Sequence, residues 1–155
     1  MKSKYLLPNR YKTIGLFFLI PAVFSILKWL FIKSSIEIKV PVFAIVESDL
    51  FMESHYFSIV KNFDIYPTLI CITLLVGLVM IAFSKENNED EFISKLRLDS
   101  LIWATFINYI LLFLALFFVF GFALLWILLF NMFTTLILFI IRFNFILYKN
   151  KRLSN

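Results

Sequence analysis

Polar side chains are rare in the second half of the chain, where most residues are apolar. The embedded set contains a carboxylate, two carboxamides, a hydroxyl and a guanidinium: Asp99, Asn108, Asn131, Thr135 and Arg142. Groups of these types can hydrogen-bond to one another, form an ion pair, or line a path for an ion or a polar substrate. Which of these they do depends on the elements that hold them.

Metal and catalytic chemistry find little support elsewhere in the chain. His55 is the only histidine, and the nearby Asp49 and Glu53 complete a weak metal-ligand set, so a solvated helix face is favoured there. Cys71 has no second cysteine with which to form a disulfide. The sequence contains no phosphate-binding loop, nucleophile elbow, zinc-protease helix or paired-cysteine motif. We therefore predict no catalytic residue, no metal and no cofactor, and a protein that is not an enzyme.

The elements that carry these residues follow from the composition. Of the 155 residues, 62% are apolar, which is more than a soluble domain of this size can bury. Four segments approach the length of about 20 residues that crosses a bilayer. We therefore expect an all-α membrane protein that forms a single integral membrane domain over residues 1–155. Transmembrane helices are expected at about 14–32, 66–83, 100–120 and 123–143, with an outer loop at 33–65 and a cytoplasmic connector at 84–99.

The basic residues predict the orientation of these helices. Eleven of the 15 Lys and Arg residues fall on the side of the two termini and the connector, and four fall on the other side. The positive-inside rule therefore predicts an inner-membrane protein with both termini in the cytoplasm. The first span is too long for a signal peptide and lacks a cleavage site, so it reads as an uncleaved anchor. The basic residues flank the spans, which favours contact with membrane lipids over binding of nucleic acid.

The outer loop is expected to hold a short α or α/β segment. Alternation of apolar and charged residues in Ile36–Val46 predicts a strand, which Pro41 either confines to a sheet edge or splits. The stretch Asp49–Phe63 predicts a helix that lies on the outer leaflet or caps the spans. Its apolar residues recur at helical spacing: Met52, Tyr56, Ile59 and Phe63.

The connector leads into the third span. Asn88 is expected to cap a helix that begins near Glu89 and runs unbroken into the membrane. This charged helix start is also a candidate docking surface, although a capped, solvated helix needs no partner and is the favoured interpretation. The residues of this surface are Glu89, Asp90, Glu91, Lys95 and Arg97. Glycine is rare in the spans, which argues against close GxxxG-type helix crossings.

The third and fourth spans must form a hairpin, because Ser100–Ile141 is about twice the length of one span. Gly121 places the turn at Phe120–Ala123, so residues at equal depth have numbers that sum to about 243. This register pairs Asn108 with Thr135 and Leu112 with Asn131, and it brings Arg142 near Asp99. We predict a hydrogen bond from Asn108 to Thr135 or its neighbour Thr134. Arg142 is predicted to latch the hairpin by pairing with Asp99, with the headgroups as its alternative partner. A polar path along the same stripe is the alternative.

Several short motifs are similar to those of a known group. The stretches EDEFISKLRLDSL, NYILL, NMFT and IIRFNFILY resemble a group of small uncharacterised bacterial inner-membrane proteins with four spans. The similarity covers mainly Glu89–Tyr148, with PNRYKTIG as a weaker match before the first span. It implies the four-span layout and carries no assigned activity.

These observations favour a non-enzymatic membrane module, a four-helix bundle that serves as an accessory, sensory or assembly component. It would act through a membrane protein partner or as a homo-oligomer. The alternative is a self-assembling pore or a membrane-perturbing effector of a lysis or defence system, in which the polar stripe faces a lumen. An enzyme that acts on lipid ranks third.

Overall fold

The computed structural model describes residues 6–32, 37–48, 54–86 and 90–153 of the chain. The chain is mostly helical, and the four helices lie where the apolar segments predict them. In chain order the elements are α1 (Arg10–Ile32), β1 (Lys39–Ser48), β2 (Ser54–Asp64), α2 (Tyr66–Ala82), α3 (Glu91–Phe118) and α4 (Phe122–Leu153). Three helices, α1, α3 and α4, are long and apolar enough to cross a membrane, whereas α2 is shorter at 17 residues.

The chain divides into two compact units. The first unit comprises Met1–Leu19 and Leu75–Asn155, and the second comprises Ile20–Leu74. Helices α1 and α2 therefore contribute to both units, α3 and α4 belong to the first, and the two strands belong to the second. The core of the first unit combines small alanines, which let the helices approach, with large rings that fill the space between them. Its buried residues are Ala82, Leu96, Ala104, Phe139 and Phe143.

Helix α3 runs unbroken to Phe118, as the sequence predicts, but it begins slightly later than expected. Its N-cap is Asp90, whose carboxylate accepts a hydrogen bond from the backbone N–H of Ile93 at 2.9 Å. The predicted cap Asn88 and the predicted start Glu89 lie outside the described residues. Helix α4 continues ten residues beyond its predicted end at 143. The turn between α3 and α4 holds Gly121 at φ +73°, which confirms the predicted turn glycine, although Phe122 and Ala123 of the predicted turn already belong to α4.

Helices α1 and α2 cross closely at two glycines within the first unit. A Cβ atom placed on Gly15 would lie 2.9 Å from the carbonyl oxygen of Gly77, and one placed on Gly77 would lie 3.0 Å from that of Gly15. The scarcity of glycine argues against close GxxxG-type crossings, and this pair of helices approaches closely without that motif. One glycine on each helix is enough, because the two residues face each other.

The predicted outer helix Asp49–Phe63 is wrong, because its second half forms β2, which pairs antiparallel with β1. The helical spacing of its apolar residues is outweighed by a run of β-favouring residues in SHYFSIVKNF and by the pairing partner that β1 supplies. The outer loop segment is thus a β-hairpin. The register shifts between Val40 and Val42, at Pro41, in a sheet of which both strands are edges, so the edge placement of this proline is confirmed.

Candidate functional site

The two long helices of the first unit meet along one face, here called the α3–α4 seam. On α3 the buried residues recur every four positions: Leu96, Ser100, Ala104 and Asn108. On α4 the buried residues are Phe133, Phe139 and Phe143. A helix that buries residues at i, i+4 and i+8 presents a single stripe to its neighbour. The positions of the embedded polar groups are therefore given relative to this seam.

The centre of the seam is a reciprocal pair of carboxamides. Asn108 Nδ2 donates to Asn131 Oδ1 at 3.3 Å, and Asn131 Nδ2 donates to Asn108 Oδ1 at 3.2 Å. Each side chain thereby satisfies a donor and an acceptor of the other, and Asn108 is only 4% exposed. Asn108 lies ten residues before the end of α3 and Asn131 nine residues after the start of α4, so the pair sits about 15 Å along the helices from the turn.

The predicted partner of Asn108, Thr135, is wrong, and so is the alignment of Leu112 with Asn131. The helices end at Phe118 and resume at Phe122, so the turn is centred nearer Phe120 than the assumed midpoint. The paired asparagines sum to 239 instead of about 243, a difference of about one helical turn. A shift of one turn preserves the face and changes the partner. Thr135 is half-buried one turn further along α4.

The predicted ion pair between Arg142 and Asp99 is also wrong. Asp99 is exposed, and the ion pairs of the described residues are Lys12–Glu86 and Lys39–Glu37. The Arg142 guanidinium instead lies over the ring of Trp103, 4.7 Å from its centroid. Trp103 follows Asp99 by one helical turn, so the arginine reaches the same side of α3 one turn closer to the asparagine pair. Its Nη1 is buried and has no hydrogen-bond partner among the described residues.

Arg97 makes the matching contact from the other helix. Its guanidinium lies 5.1 Å from the centroid of the Phe143 ring on α4. Its Nη1 also donates to the carbonyl oxygens of Ser84 at 3.0 Å and Ala82 at 3.5 Å, which closes the C-terminal end of α2 with a cation. We call the two arginine–ring contacts, Arg97–Phe143 and Arg142–Trp103, the arginine clasp. Each helix thus places an arginine over an aromatic ring of the other.

The sequence contained a signal for the clasp that the hairpin register did not use. Arg97 lies 21 residues before the end of α3, and Arg142 lies 20 residues after the start of α4. Two arginines at nearly equal distance from one turn must reach a similar level of an antiparallel pair. From the sequence, Arg97 is instead predicted to belong to the charged helix start.

The candidate docking surface is only partly a free surface. Glu91 and Lys95 are exposed, and Asp90 is exposed while it caps α3. Arg97 is turned inward by the contacts described above, and Glu89 lies outside the described residues. The neighbouring start of the connector is held by the N-terminal segment. The backbone N–H of Leu7 donates to Phe83 O at 2.9 Å, and that of Lys85 donates to Leu7 O at 2.8 Å.

Metal-binding geometry is not found among the described residues, none of which form a group of three His, Cys, Asp or Glu side chains. Of the weak set proposed from the sequence, Asp49 and Glu53 lie outside the described residues, and His55 lies in β2 opposite Glu47. Cys71 is a half-buried free thiol on α2. Within the described ranges, one pKa is clearly displaced: the Glu37 carboxylate, hydrogen-bonded to the Lys39 ammonium at 3.0 Å, raises the pKa of Lys39 above its ordinary value.

The arrangement can hold two apolar helices in one register through an amide pair and two cation–ring contacts. Within the part of the chain that the structure describes, the seam brings together no nucleophile and base and no pair of carboxylates. Comparison of the chain with protein-family models, with curated proteins and with solved structures gives no match. The resemblance to small bacterial inner-membrane proteins therefore stays a prediction.

Proposed function

We propose that this chain is a small multi-pass protein of the bacterial inner membrane that works as a non-enzymatic accessory, sensory or assembly module. It acts through a membrane protein partner or through its own copies, and α1 to α4 each cross the bilayer. Both termini lie in the cytoplasm. The proposal rests on one observation: Asn108 and Asn131 pair with each other inside the seam, while the outward surface of Ser100–Phe118 and Phe122–Ile141 is predominantly apolar.

The outward surface of the α3–α4 pair has the character of a lipid-facing surface. Neither Ser100–Phe118 nor Phe122–Ile141 contains a charged residue. The exposed side chains over this length are predominantly large and apolar, among them Phe106, Phe113, Phe117, Leu125 and Trp126. The hydroxyls of Thr105 and Thr134 donate to carbonyls of their own helix, one turn back. Such a surface is costly in water and suits a hydrocarbon solvent.

The depth of the polar groups agrees with a bilayer crossing. With the turn at one interface, the asparagine pair lies about 15 Å deep, near the midplane of a hydrocarbon core about 30 Å thick. The clasp arginines lie about 30 Å from the turn, at the opposite interface, where an arginine meets headgroups at little cost. Helix α2 spans only about 25 Å, so it crosses with little tilt or with local thinning of the bilayer.

A module that holds its polar groups internally is favoured over a pore. A pore needs polar side chains that face a lumen, but the carboxamides of Asn108 and Asn131 satisfy each other's hydrogen bonds inside the seam. Purified protein in liposomes should therefore conduct no ions even at high protein loading. Ion flux that is lost in both the Asn108→Leu and the Asn131→Leu variants would contradict the module proposal and support the pore.

The orientation is tested by cysteine labelling in intact cells. In a Cys71→Ala background, single cysteines replace Lys61, Phe120 or Ser154. A membrane-impermeant maleimide should label positions 61 and 120 in intact cells and position 154 only after lysis. Labelling of position 120 only after lysis would place the turn inside and overturn the four-span topology.

The module role is tested by purification in a mild detergent. A tagged chain should recover a stoichiometric membrane protein or migrate as a defined oligomer. The matched control is Asn108→Leu together with Asn131→Leu, which keeps the apolar surface but removes the seam's polar pair. A chain that is monomeric and partner-free in the bilayer, as judged by single-molecule photobleaching in cells, would contradict the proposal.

A further inference from the structure

The β-hairpin of the second unit carries its largest apolar side chains on its open face. Phe43 and Ile59 are directly paired across the strands, and the rings of Phe43 and Phe57 lie 6.3 Å apart, so these side chains share one side. Ile45, two residues from Phe43 on β1, points to the same side by strand alternation. The four side chains are 61% (Phe43), 64% (Ile45), 70% (Phe57) and 64% (Ile59) exposed.

On the opposite face, the residues whose burial is described are smaller and better covered. Val42, Ala44 and Val60 are half-buried, and Val42 pairs directly with Val60. A hairpin that stands in water normally turns its large apolar residues toward cover and its polar residues toward solvent. In this hairpin the large apolar residues, phenylalanine and isoleucine, lie on the open side instead. The face is therefore built for an apolar surrounding.

The root of the hairpin keeps this face close to the start of α2. Only Ile65 separates β2 from α2, and the Asp64 carboxylate accepts hydrogen bonds from the backbone N–H groups of Ile38 at 3.0 Å and Tyr66 at 3.2 Å. Ile65 N–H also donates to Ile38 O at 3.1 Å. Hydrogen bonds thus join the start of β1, the end of β2 and the start of α2 at one point. A hairpin fixed in this way cannot move far from the end of α2.

We infer that the hairpin lies on the outer leaflet of the membrane, with Phe43, Ile45, Phe57 and Ile59 inserted at the boundary between headgroups and acyl chains. The inference rests on the proposed function, because that topology puts the start of α2 at the outer surface. An isolated two-stranded hairpin is marginal in water, and strands of this length would project about 33 Å if they stood upright. A hairpin that lies flat on the membrane removes its apolar face from water. It also stays within reach of its connection to α2.

The backbone conformation of Phe57 is a second indication that the position of its side chain matters. Its φ is +57°, a left-handed conformation that a bulky residue adopts only at a cost in free energy. Beyond the Val46–Tyr56 pair, the polar residues Glu47 and His55 pair nearer the tip. The apolar patch thus ends at polar residues, as expected for a segment that sits at an interface instead of crossing it.

The test measures the depth of single fluorescent labels in vesicles of phosphatidylethanolamine with a minority of phosphatidylglycerol. In a Cys71→Ala background, an environment-sensitive maleimide is attached at Ile45→Cys or Ile59→Cys. The matched control is Ala44→Cys on the opposite face, and Phe113→Cys in α3 reports insertion of the helices. Quenchers are nitroxide groups near the headgroup end of the lipid chains and aqueous iodide.

Labels at positions 45 and 59 should shift to the blue and lose about half of their emission to the shallow nitroxide, with iodide quenching well below that at position 44. Iodide quenching at positions 45 and 59 that equals or exceeds that at the half-buried position 44, with position 113 still quenched by lipid, would overturn the hairpin inference and leave the proposed topology intact. Loss of lipid quenching at position 113 would instead defeat the proposed function.

A second copy is the competing occupant of the face. Protection of positions 45 and 59 from both quenchers, together with crosslinking between copies by a bifunctional maleimide, would show that the face is covered by protein and would overturn the inference. Circular dichroism of each labelled variant should match the Cys71→Ala parent. Two independent face positions guard against one substitution that disturbs the strands.

Discussion

The α3–α4 pair and the β-hairpin are both antiparallel pairs of apolar segments, yet they distribute their side chains in opposite ways. In the helical pair Asn108 and Asn131 are turned inward, and most large apolar side chains other than the buried Phe133, Phe139 and Phe143 face out. In the hairpin the two strands use their polar backbone groups on each other, and one face presents phenylalanine and isoleucine to the outside. A helix satisfies its own backbone, so only side chains can fix its partner. A strand needs its partner for the backbone itself, which frees both faces for other contacts.

The strongest test of this contrast is removal of one carboxamide from the seam. In Asn108→Leu, the Asn131 carboxamide loses its partner among apolar side chains, so the free energy of unfolding should fall by about 1–2 kcal/mol. The double variant with Asn131→Leu should lose less than the sum of the two single variants. Denaturant titration in detergent micelles measures both.

Thr134→Val is the matched control for the seam, because the Thr134 hydroxyl bonds only to Phe130 O of its own helix. Its effect should stay below about 0.5 kcal/mol. Strictly additive losses at Asn108 and Asn131 would mean that the amide pair contributes nothing to helix pairing, and the contrast with the hairpin would fail.

The arginine clasp gives the second test. A double-mutant cycle of Arg142→Leu and Trp103→Leu should yield a coupling energy of about 1–2 kcal/mol, since the guanidinium is partly desolvated over the ring. The same cycle with Asp99→Leu should show coupling near zero, because Asp99 is exposed and does not pair with Arg142. A larger coupling to Asp99 than to Trp103 would restore the ion-pair latch.

The strained residue of the hairpin provides a smaller effect. Glycine adopts the φ of Phe57 without a steric cost, so Phe57→Gly should destabilise the hairpin less than Ile59→Gly by about 1 kcal/mol. Hydrogen exchange of β1 amides in micelles measures the difference. Equal loss of protection in both variants would show that the backbone at Phe57 stores no strain.

The smallest effect concerns the root of the hairpin. Because Glu37 raises the pKa of Lys39, the pair's contribution is complete below the ordinary lysine pKa and is lost as the pH rises through the raised value. Glu37→Gln should return the Lys39 pKa toward its ordinary value in an NMR titration. The amide signals of Asn108 and Asn131 should not respond over the same pH range. A pKa that is unchanged by Glu37→Gln would contradict the contact.

Several parts of the fold were predictable from the sequence because their causes are local. Runs of apolar residues predicted all four helices, and Gly121 marked the bend because the turn needs a positive φ. The placement of Asn108 and Asn131 on inward faces also followed from helical spacing. The hairpin did not, since Met52, Tyr56, Ile59 and Phe63 match a helical period that only pairing with β1 overrides.

The sequence by itself determined that four helices form, approximately where they lie, that the α3–α4 bend falls at Gly121, and which faces carry polar residues, because backbone hydrogen bonds within a helix join residues four apart. Only the tertiary structure decided which residues contact each other across the seam. A difference of about one helical turn gives Asn108 the partner Asn131 in place of Thr135, and Arg142 the partner Trp103 in place of Asp99. Spacing on one helix cannot distinguish such alternatives, since both lie on the same face and differ only in the register of two distant segments.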